Sequence, residues 1–494
     1  MLGASCLDCV HIPMGFSLMK TTLNDLFISS ARVIHLGYFH KGSLMWQRSN
    51  SPEGYEYSFY HSEQLGYFPK MPVIIQSNGL PWDIGNAYLL GQLEKPSLSN
   101  MRTLTARATH LKYYLQYLDD TEQHFLDLPK LYHERAPQKF RVFMSRVLDK
   151  HDFSAEHINN VLSTVAHFYT NIRYESLVPE ESLGNKPFTH IKKSILTTNR
   201  VGLVRNIEVT SSDLKIKSSR RHSPSLGQLR DDGTLRPLSF EEQKIIFEAF
   251  RNEYASIELE LMMKIALETG ARQQTVCTLS ISCVRAAYEK LENDAELDVA
   301  VITAGRRYKG DTKGGKLNRL FFSRKLIESL MVYIQSERAE HRRLHINSFY
   351  GDTNENYVFL TRSGNPYYTA QREITDRQDL KSALHISVPI IVPKSGQALR
   401  NELGRFISRI QKGNKSFKKF SFHDLRATMG MNIVRSFRIR GYPDSKIFDY
   451  VRQRLSHNNI RTTESYLNFD SDLSEFNEIQ NEFGTIFFEG ASDD

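Results

Sequence analysis

At 494 residues the chain is too long for one hydrophobic core, and the usual domain size argues for about two to four domains. Hydrophobic residues make up 40% and charged residues 24%, ordinary for a globular protein, and no apolar run of about 18 residues is present to cross a membrane. The net charge of +8 leans toward a polyanion partner, because clustered Lys and Arg release counterions from a phosphate backbone. Four cysteines (Cys6, Cys9, Cys277, Cys283) are too few for a disulfide framework. Cys6 and Cys9 form a lone C-x-x-C without a second pair, so reduced thiols are expected and no metal or cofactor site. The N-terminus carries no basic residue ahead of an apolar core, which argues against a secretory signal and for a cytoplasmic location.

Residues 1–95 read as a small, partly β module of unassigned chemistry, with Met71–Gln76 as a short strand and Ser77-Asn78-Gly79 as a turn. From 96 to 178 the pattern is helical. Leu104, Ala108, Leu111, Leu115 and Leu118 recur at intervals of three and four, leaving Arg102, Arg107 and Lys112 for solvent. Phe140, Phe143 and Val147 continue the pattern, and a third helix begins at the N-cap Ser154 with Ile158, Val161, Leu162, Val165, Tyr169 and Ile172 on one face. Such a bundle is either purely structural or lays its helices on DNA.

Residues 179–236 lose periodicity and read as a linker that includes Asp231-Asp232-Gly233. Ser239-Phe240-Glu241-Glu242 has the form of a capping box and opens a large domain over 237–469. A buried helix over Ile257–Thr269 stops at Gly270, just ahead of Arg272. Val299–Thr303 and Leu320–Phe322 read as paired strands. Their connection gathers Arg306, Arg307, Lys309, Lys313, Lys316 and Arg319 against the single acid Asp311, a glycine-rich hairpin suited to a nucleic-acid groove. Tyr357–Leu360 reads as one more short strand and Gln397–Ile410 as a helix, followed by the basic run Lys412, Lys415, Lys418 and Lys419. No Lys or Arg occurs after Arg461, and residues 470–494 form an acidic tail whose Leu473, Phe476, Ile479 and Phe483 suit docking on a protein surface.

The chemistry concentrates between Ser421 and Phe469. Cleaving a phosphodiester without metal needs a nucleophile, cations on the non-bridging oxygens, a proton acceptor, and a proton donor for the leaving oxygen. Tyrosine can attack if a base or a cationic pocket offsets its pKa of about 10. Arginine grips phosphate with a planar fork that stays charged, and His and Lys hold or pass protons. His423 and Arg426 are three apart on a helical pattern and so share a face. Alone the pair says little, since 17 His and 64 Lys plus Arg make about two H-x-x-[K/R] matches a chance expectation. The order matters more: an arginine after a helix stop, a lysine hairpin, H-x-x-R, then His457 and Tyr466 nine apart.

Taken together, these motifs resemble the catalytic domain of the tyrosine recombinases, the phage-type integrases. Glu268-Thr269-Gly270-Ala271-Arg272 resembles the first-arginine motif and Lys313-Gly314-Gly315-Lys316 the hairpin lysine motif. His423-Asp424-Leu425-Arg426 and Leu455-Ser456-His457 through Tyr466 resemble the two closing boxes. The resemblance covers about 237–470 and extends more weakly to 97–175. It implies a mainly α fold with a small β-sheet or hairpin: a helical core-binding domain plus a mixed α+β catalytic domain, closing as a C-shaped clamp around DNA. It implies that Arg272 and Arg426 clamp the scissile phosphate, His457 adds a hydrogen bond, and Lys313 protonates the leaving oxygen. His423 would assist proton transfer and Tyr466 attack to give a 3′-phosphotyrosine, without a cofactor.

The implied function is site-specific recombination that integrates or excises a mobile element. The implied partners are double-stranded DNA, three further copies in a tetramer on paired sites, and accessory DNA-bending or directionality proteins. A type IB topoisomerase-like activity and a catalytically reduced DNA-binding protein are the alternatives. Two positions depart from the family pattern. Thr275 stands where an acid is usual three residues after the first arginine, so polar support for Arg272 or His423 is expected from elsewhere. Arg319 falls one residue late, which leaves Lys316 and Lys309 as alternatives to Lys313.

Overall fold

The computed structural model describes residues 22–40, 44–51, 54–61, 67–93, 101–151, 153–198, 204–216, 227–231, 233–378, 393–457 and 460–470. The acidic tail beyond 470 and the pair Cys6 and Cys9 lie outside them. The chain divides into two compact units, one built mainly from residues up to Leu196 and the other from His222 onward. Most of the described chain is helical, every sheet among the described residues has two strands, and no described helix is long and apolar enough to cross a membrane.

In the first unit β1 (Arg32–His40) pairs antiparallel with β4 (Tyr67–Ile75), and β2 (Leu44–Ser51) with β3 (Gly54–His61). The helices α1 (Asp83–Leu93), α2 (Met101–Asp120), α3 (Ala136–Lys150) and α4 (Ala155–Tyr174) follow. Strands and helices share one core, in which Met71 and Ile74 of β4 join Leu104, Ala108, Leu111 and Leu118 of α2. Ser154 caps α4, its hydroxyl accepting from the His157 amide at 3.1 Å.

One expectation on α2 fails. Lys112 is 7% exposed, bonded to Asn24, with its ammonium 4.2 Å from the Tyr113 ring centre. Every residue from Leu111 to Leu118 is buried because β4, α3 and α4 all pack on this helix, so α2 has no solvent face along that stretch. Burial lowers the Lys112 pKa to about 8.

The stretch 179–236 contains β5 (His190–Thr198) and β6 (Val204–Ser212), which pair, and then a short antiparallel hairpin. That hairpin is β7 (Leu229–Arg230) and β8 (Thr234–Leu235), with Leu229 opposite Leu235. The second unit continues with α5 (Phe240–Arg251), α6 (Ile257–Thr269), α7 (Gln273–Thr278) and α8 (Ile281–Asn293). Then come β9 (Val299–Ala304) and β10 (Asn318–Ser323), antiparallel in the register Arg319 opposite Thr303. The remaining helices are α9 (Arg324–Gln335), α10 (Glu337–Arg343), α11 (Gln371–Gln378), α12 (Gln397–Gly413), α13 (Asp424–Ile439), α14 (Asp444–Leu455) and α15 over 460–470.

Ser239 and Glu242 form the reciprocal capping box at the head of α5. Residues 357–360 do not form a strand. The Val358 amide bonds to the Leu279 carbonyl at 2.9 Å and Tyr357 bridges Ser280, but Ser280 already caps α8, so the ladder has no neighbour along which to propagate. Among the described residues of this unit two main cores result, beside a small cluster of Tyr350, Tyr357, Leu360 and Ala370. The larger joins α5–α9, β9, β10 and α12. The smaller joins α13, α14, Tyr466 and Leu467 of α15, and the side chains of Leu229 and Leu235.

Candidate active site

Three chain reversals bring the site together. At the end of α6, Gly270 takes φ +69°, a left-handed conformation that favours glycine, and its amide bonds back to Ala266. A Cβ there would lie 2.8 Å from Leu455 Cδ2 and 3.0 Å from Met429 Cε, so α6, α13 and α14 meet at this point. Arg272 follows as the N-cap of α7. At the end of α14, Ser456 adopts φ +50°, unusual for a residue with a Cβ. Its hydroxyl bonds to Asn318 Oδ1 at 2.8 Å, and the His457 amide bonds to the Arg452 carbonyl at 3.0 Å. That turn aims His457 inward. The third reversal is the head of α13, where Asp424 accepts from the Ser421 amide and hydroxyl at 2.7 and 2.9 Å and from the Arg236 amide at 2.8 Å. His423 therefore stands at the N-cap and not inside the helix, with Arg426 in the first turn beside it.

Arg426 is 1% exposed and makes three directed bonds. Its Nε donates to Asp231 Oδ2 at 2.8 Å, Nη1 donates to the Gly270 carbonyl at 2.8 Å, and Nη2 donates to the Leu455 carbonyl. One guanidinium thus ties α6, α13, α14 and the β7–β8 hairpin together.

The same Asp231 oxygen accepts from His457 Nε2 at 3.1 Å and from the Tyr466 hydroxyl at 3.3 Å. Asp231 Oδ1 lies 3.8 Å from Arg272 Nη2, and its backbone carbonyl accepts from His423 Nε2 at 3.1 Å. Five of the six expected catalytic residues therefore converge on one carboxylate residue. Because a carboxylate and a carbonyl only accept, both histidines carry their proton on Nε2. His457 Nδ1 is left to accept from the buried Thr463 hydroxyl at 3.1 Å, which fixes its tautomer.

The electrostatics follow from this geometry. Burial works against the charge on Asp231, but the His457 hydrogen bond and the Arg426 charge outweigh it and hold the carboxyl far below its usual range. Burial lowers the pKa of His457, with Asp231 opposing, and burial together with the Arg426 charge lowers that of His423. Tyr466 is fully buried, and burial together with the Asp231 charge pushes its hydroxyl well above the ordinary tyrosine value. Its ring lies 5.4 Å from the His457 ring and directly over Gly430 of α13, where a Cβ would fall 2.5 Å from Tyr466 Cε1.

Lys313 is exposed, in a 3-10 turn within the β9–β10 connection. Arg306, Arg307 and Lys316 are exposed on the same connection. Arg319 lies within β10 itself, also exposed, and Lys309 is paired with Glu355 at 2.5 Å. Thr275 is buried in α7. Sequence reading missed Asp231 and Gly430. The available signal for Asp231 was the pair Leu229 and Leu235 flanking an acid-rich turn; for Gly430 it was a glycine interrupting a strong helix pattern.

The Phage integrase family profile matches residues 236–472. No curated protein matches the chain. Among solved structures, the XerH site-specific recombinase bound to its difH substrate in a pre-cleavage complex matches with a TM-score of 0.38 and 13% identity. That match covers 78% of this chain and 91% of that one.

Proposed function

Because residues 236–472 belong to the phage integrase family, we propose that the protein is a site-specific recombinase that cuts and rejoins DNA through a 3′-phosphotyrosine. Arg272 and Arg426 grip the non-bridging oxygens of the scissile phosphate, and His457 Nε2 donates to one of them. Tyr466 Oη attacks phosphorus while the bond to the 5′ oxygen breaks. The phenolic proton passes toward His423, and Lys313, carried in on the exposed β9–β10 connection, protonates the leaving 5′ oxygen. Arg306, Arg307, Lys309, Lys316 and Arg319 lie along the duplex beside it, and the two units close on bound DNA as a C-shaped clamp. The biological reaction would be integration or excision of a mobile element by a tetramer on paired sites, with accessory DNA-bending proteins setting direction.

The observation that carries this reading is the convergence of Arg272, Arg426, His457 and Tyr466 on a single anionic group, Asp231. A site that binds one oxyanion at hydrogen-bond distance from a tyrosine hydroxyl has the form that phosphoryl transfer to tyrosine requires. The test is covalent trapping: a pool of nicked duplexes with randomised flanks is incubated with the protein, and adducts surviving SDS are recovered. Wild type is expected to give adducts and Tyr466→Phe none, while Tyr466→Phe retains salt-sensitive DNA binding. Equal adduct yield from Tyr466→Phe would overturn the nucleophile assignment.

A further inference from the structure

We propose that Asp231 is an internal stand-in for the scissile phosphate, so that the β7–β8 hairpin holds the catalytic unit closed until DNA displaces the carboxylate. This rests on the reading of the site given above and adds a regulatory contact to it.

An attacking oxygen must come within about 3–3.5 Å of the phosphorus it attacks. Asp231 Oδ2 already sits 3.3 Å from the Tyr466 hydroxyl, 2.8 Å from Arg426 Nε and 3.1 Å from His457 Nε2. A phosphate held by those three groups and Asp231 cannot occupy the site together. An acid that only supported the arginines from behind would not accept a hydrogen bond from the nucleophile. Asp231 does, which places it on the substrate side.

The nucleophile is also covered. Asp231 is 4% exposed and Tyr466 0%, so both are buried as the unit stands. The cover is built into the chain: Leu229 and Leu235, opposite each other in the hairpin, are buried in the same core as Tyr466, and Arg236 is tied to Asp424 at the head of α13. The Asp231 amide bonds to the Gly233 carbonyl at 3.1 Å, and a Cβ at Gly233 would meet nothing within 4 Å. On this proposal the two leucines stay seated in the core while Asp231 leaves the pocket toward the open side at Gly233. With Asp231 inside, one carboxylate offsets part of the charge of the two guanidiniums, and the phenol is held protonated. Exchange for phosphate swaps one oxyanion for another, so the cationic pocket stays paired when DNA enters.

Both states bind an anion, so the apparent affinity of the site for phosphate falls by the fraction of molecules with Asp231 withdrawn. Asp231→Asn keeps the shape and removes the charge that competes. The experiment measures binding of inorganic phosphate by thermal shift and by 31P line broadening, and adduct formation on the nicked-duplex pool. The proteins are wild type, Asp231→Asn, Asp231→Ala and Glu289→Gln. Glu289→Gln removes the same charge from an exposed position on α8. Asp231→Asn is expected to bind phosphate about tenfold or more tightly and to form adducts faster, with Glu289→Gln like wild type. Asp231→Ala, if it folds, follows Asp231→Asn.

Weaker phosphate binding and slower adduct formation in Asp231→Asn would overturn the proposal and make Asp231 a positioning acid, while leaving recombinase chemistry in place. Equal gains in Asp231→Asn and Glu289→Gln would also overturn it, as a net-charge effect. Tighter phosphate binding by Asp231→Asn without any Tyr466-dependent adduct in wild type or variant would instead defeat the proposed function and leave the plug standing.

Discussion

Substituting Arg426 by lysine keeps the positive charge and removes the planar fork, so it separates the two jobs the structure gives this residue. The guanidinium spans three acceptors on different parts of the chain: Asp231 on the hairpin, the Gly270 carbonyl after α6, and the Leu455 carbonyl at the end of α14. A compact ammonium at the end of a flexible stem reaches one of these well. Two buried acceptors then lose their donor at about 1–3 kcal/mol each, so the catalytic unit is expected to lose about 2–6 kcal/mol of stability. The lost oxyanion donor should slow adduct formation about 10²–10³-fold. Urea unfolding followed by tryptophan-independent far-UV signal reports the first quantity, and adduct rate below the unfolding transition reports the second. If Arg426→Lys unfolds within about 1 kcal/mol of wild type, the bridging role is wrong. If it also forms adducts within about tenfold of the wild-type rate, the clamp assignment goes with it.

Two further outcomes follow from other sites. Gly430→Ala should slow adduct formation at least about tenfold with DNA affinity unchanged, because the new methyl meets the buried Tyr466 ring at 2.5 Å and displaces the nucleophile; an unchanged rate would show that the ring is not held where the structure puts it. In the first unit, burial and the neighbouring His157 lower the His110 pKa from 6.5 to about 4, so the unfolded chain takes up a proton that the folded unit refuses. Stability is therefore expected to fall as pH drops from about 6.5 to about 4, by up to about 3 kcal/mol, and His110→Gln should flatten that slope in urea titrations; a slope unaltered by the substitution would refute it.

Much of the fold is legible in the chain because local rules act locally. The Ser154 cap, the Ser239–Glu242 capping box and the Gly270 stop each depend on groups within a few residues, and each appears as written in the sequence. The β9–β10 pair is likewise readable from two short apolar runs around a glycine-rich connection. The misreadings share a cause. Lys112 looks like a solvent residue on a helical wheel, but β4, α3 and α4 enclose α2, and no periodicity within α2 records that. Residues 357–360 have strand composition, yet whether a strand forms depends on a neighbour with free backbone groups, and Ser280 turns into α8 instead.

The candidate site divides the same way. Residue types and their order, through the resemblance to the tyrosine recombinases that they carry, marked Arg272, His423, Arg426, His457 and Tyr466. Nothing in that order says where the five lie relative to one another, which tautomer His457 takes, or that Gly430 leaves room for the tyrosine ring. Tertiary structure decided these, through one guanidinium bonded to carbonyls 156 and 29 residues away. It also decided the part played by Asp231, which in the sequence is one acid in a turn. That acid lies 195 residues from Arg426 and 235 from Tyr466, and only the folded chain brings its charge into the pocket. Charge is a property of the residue, but the field it meets belongs to the fold.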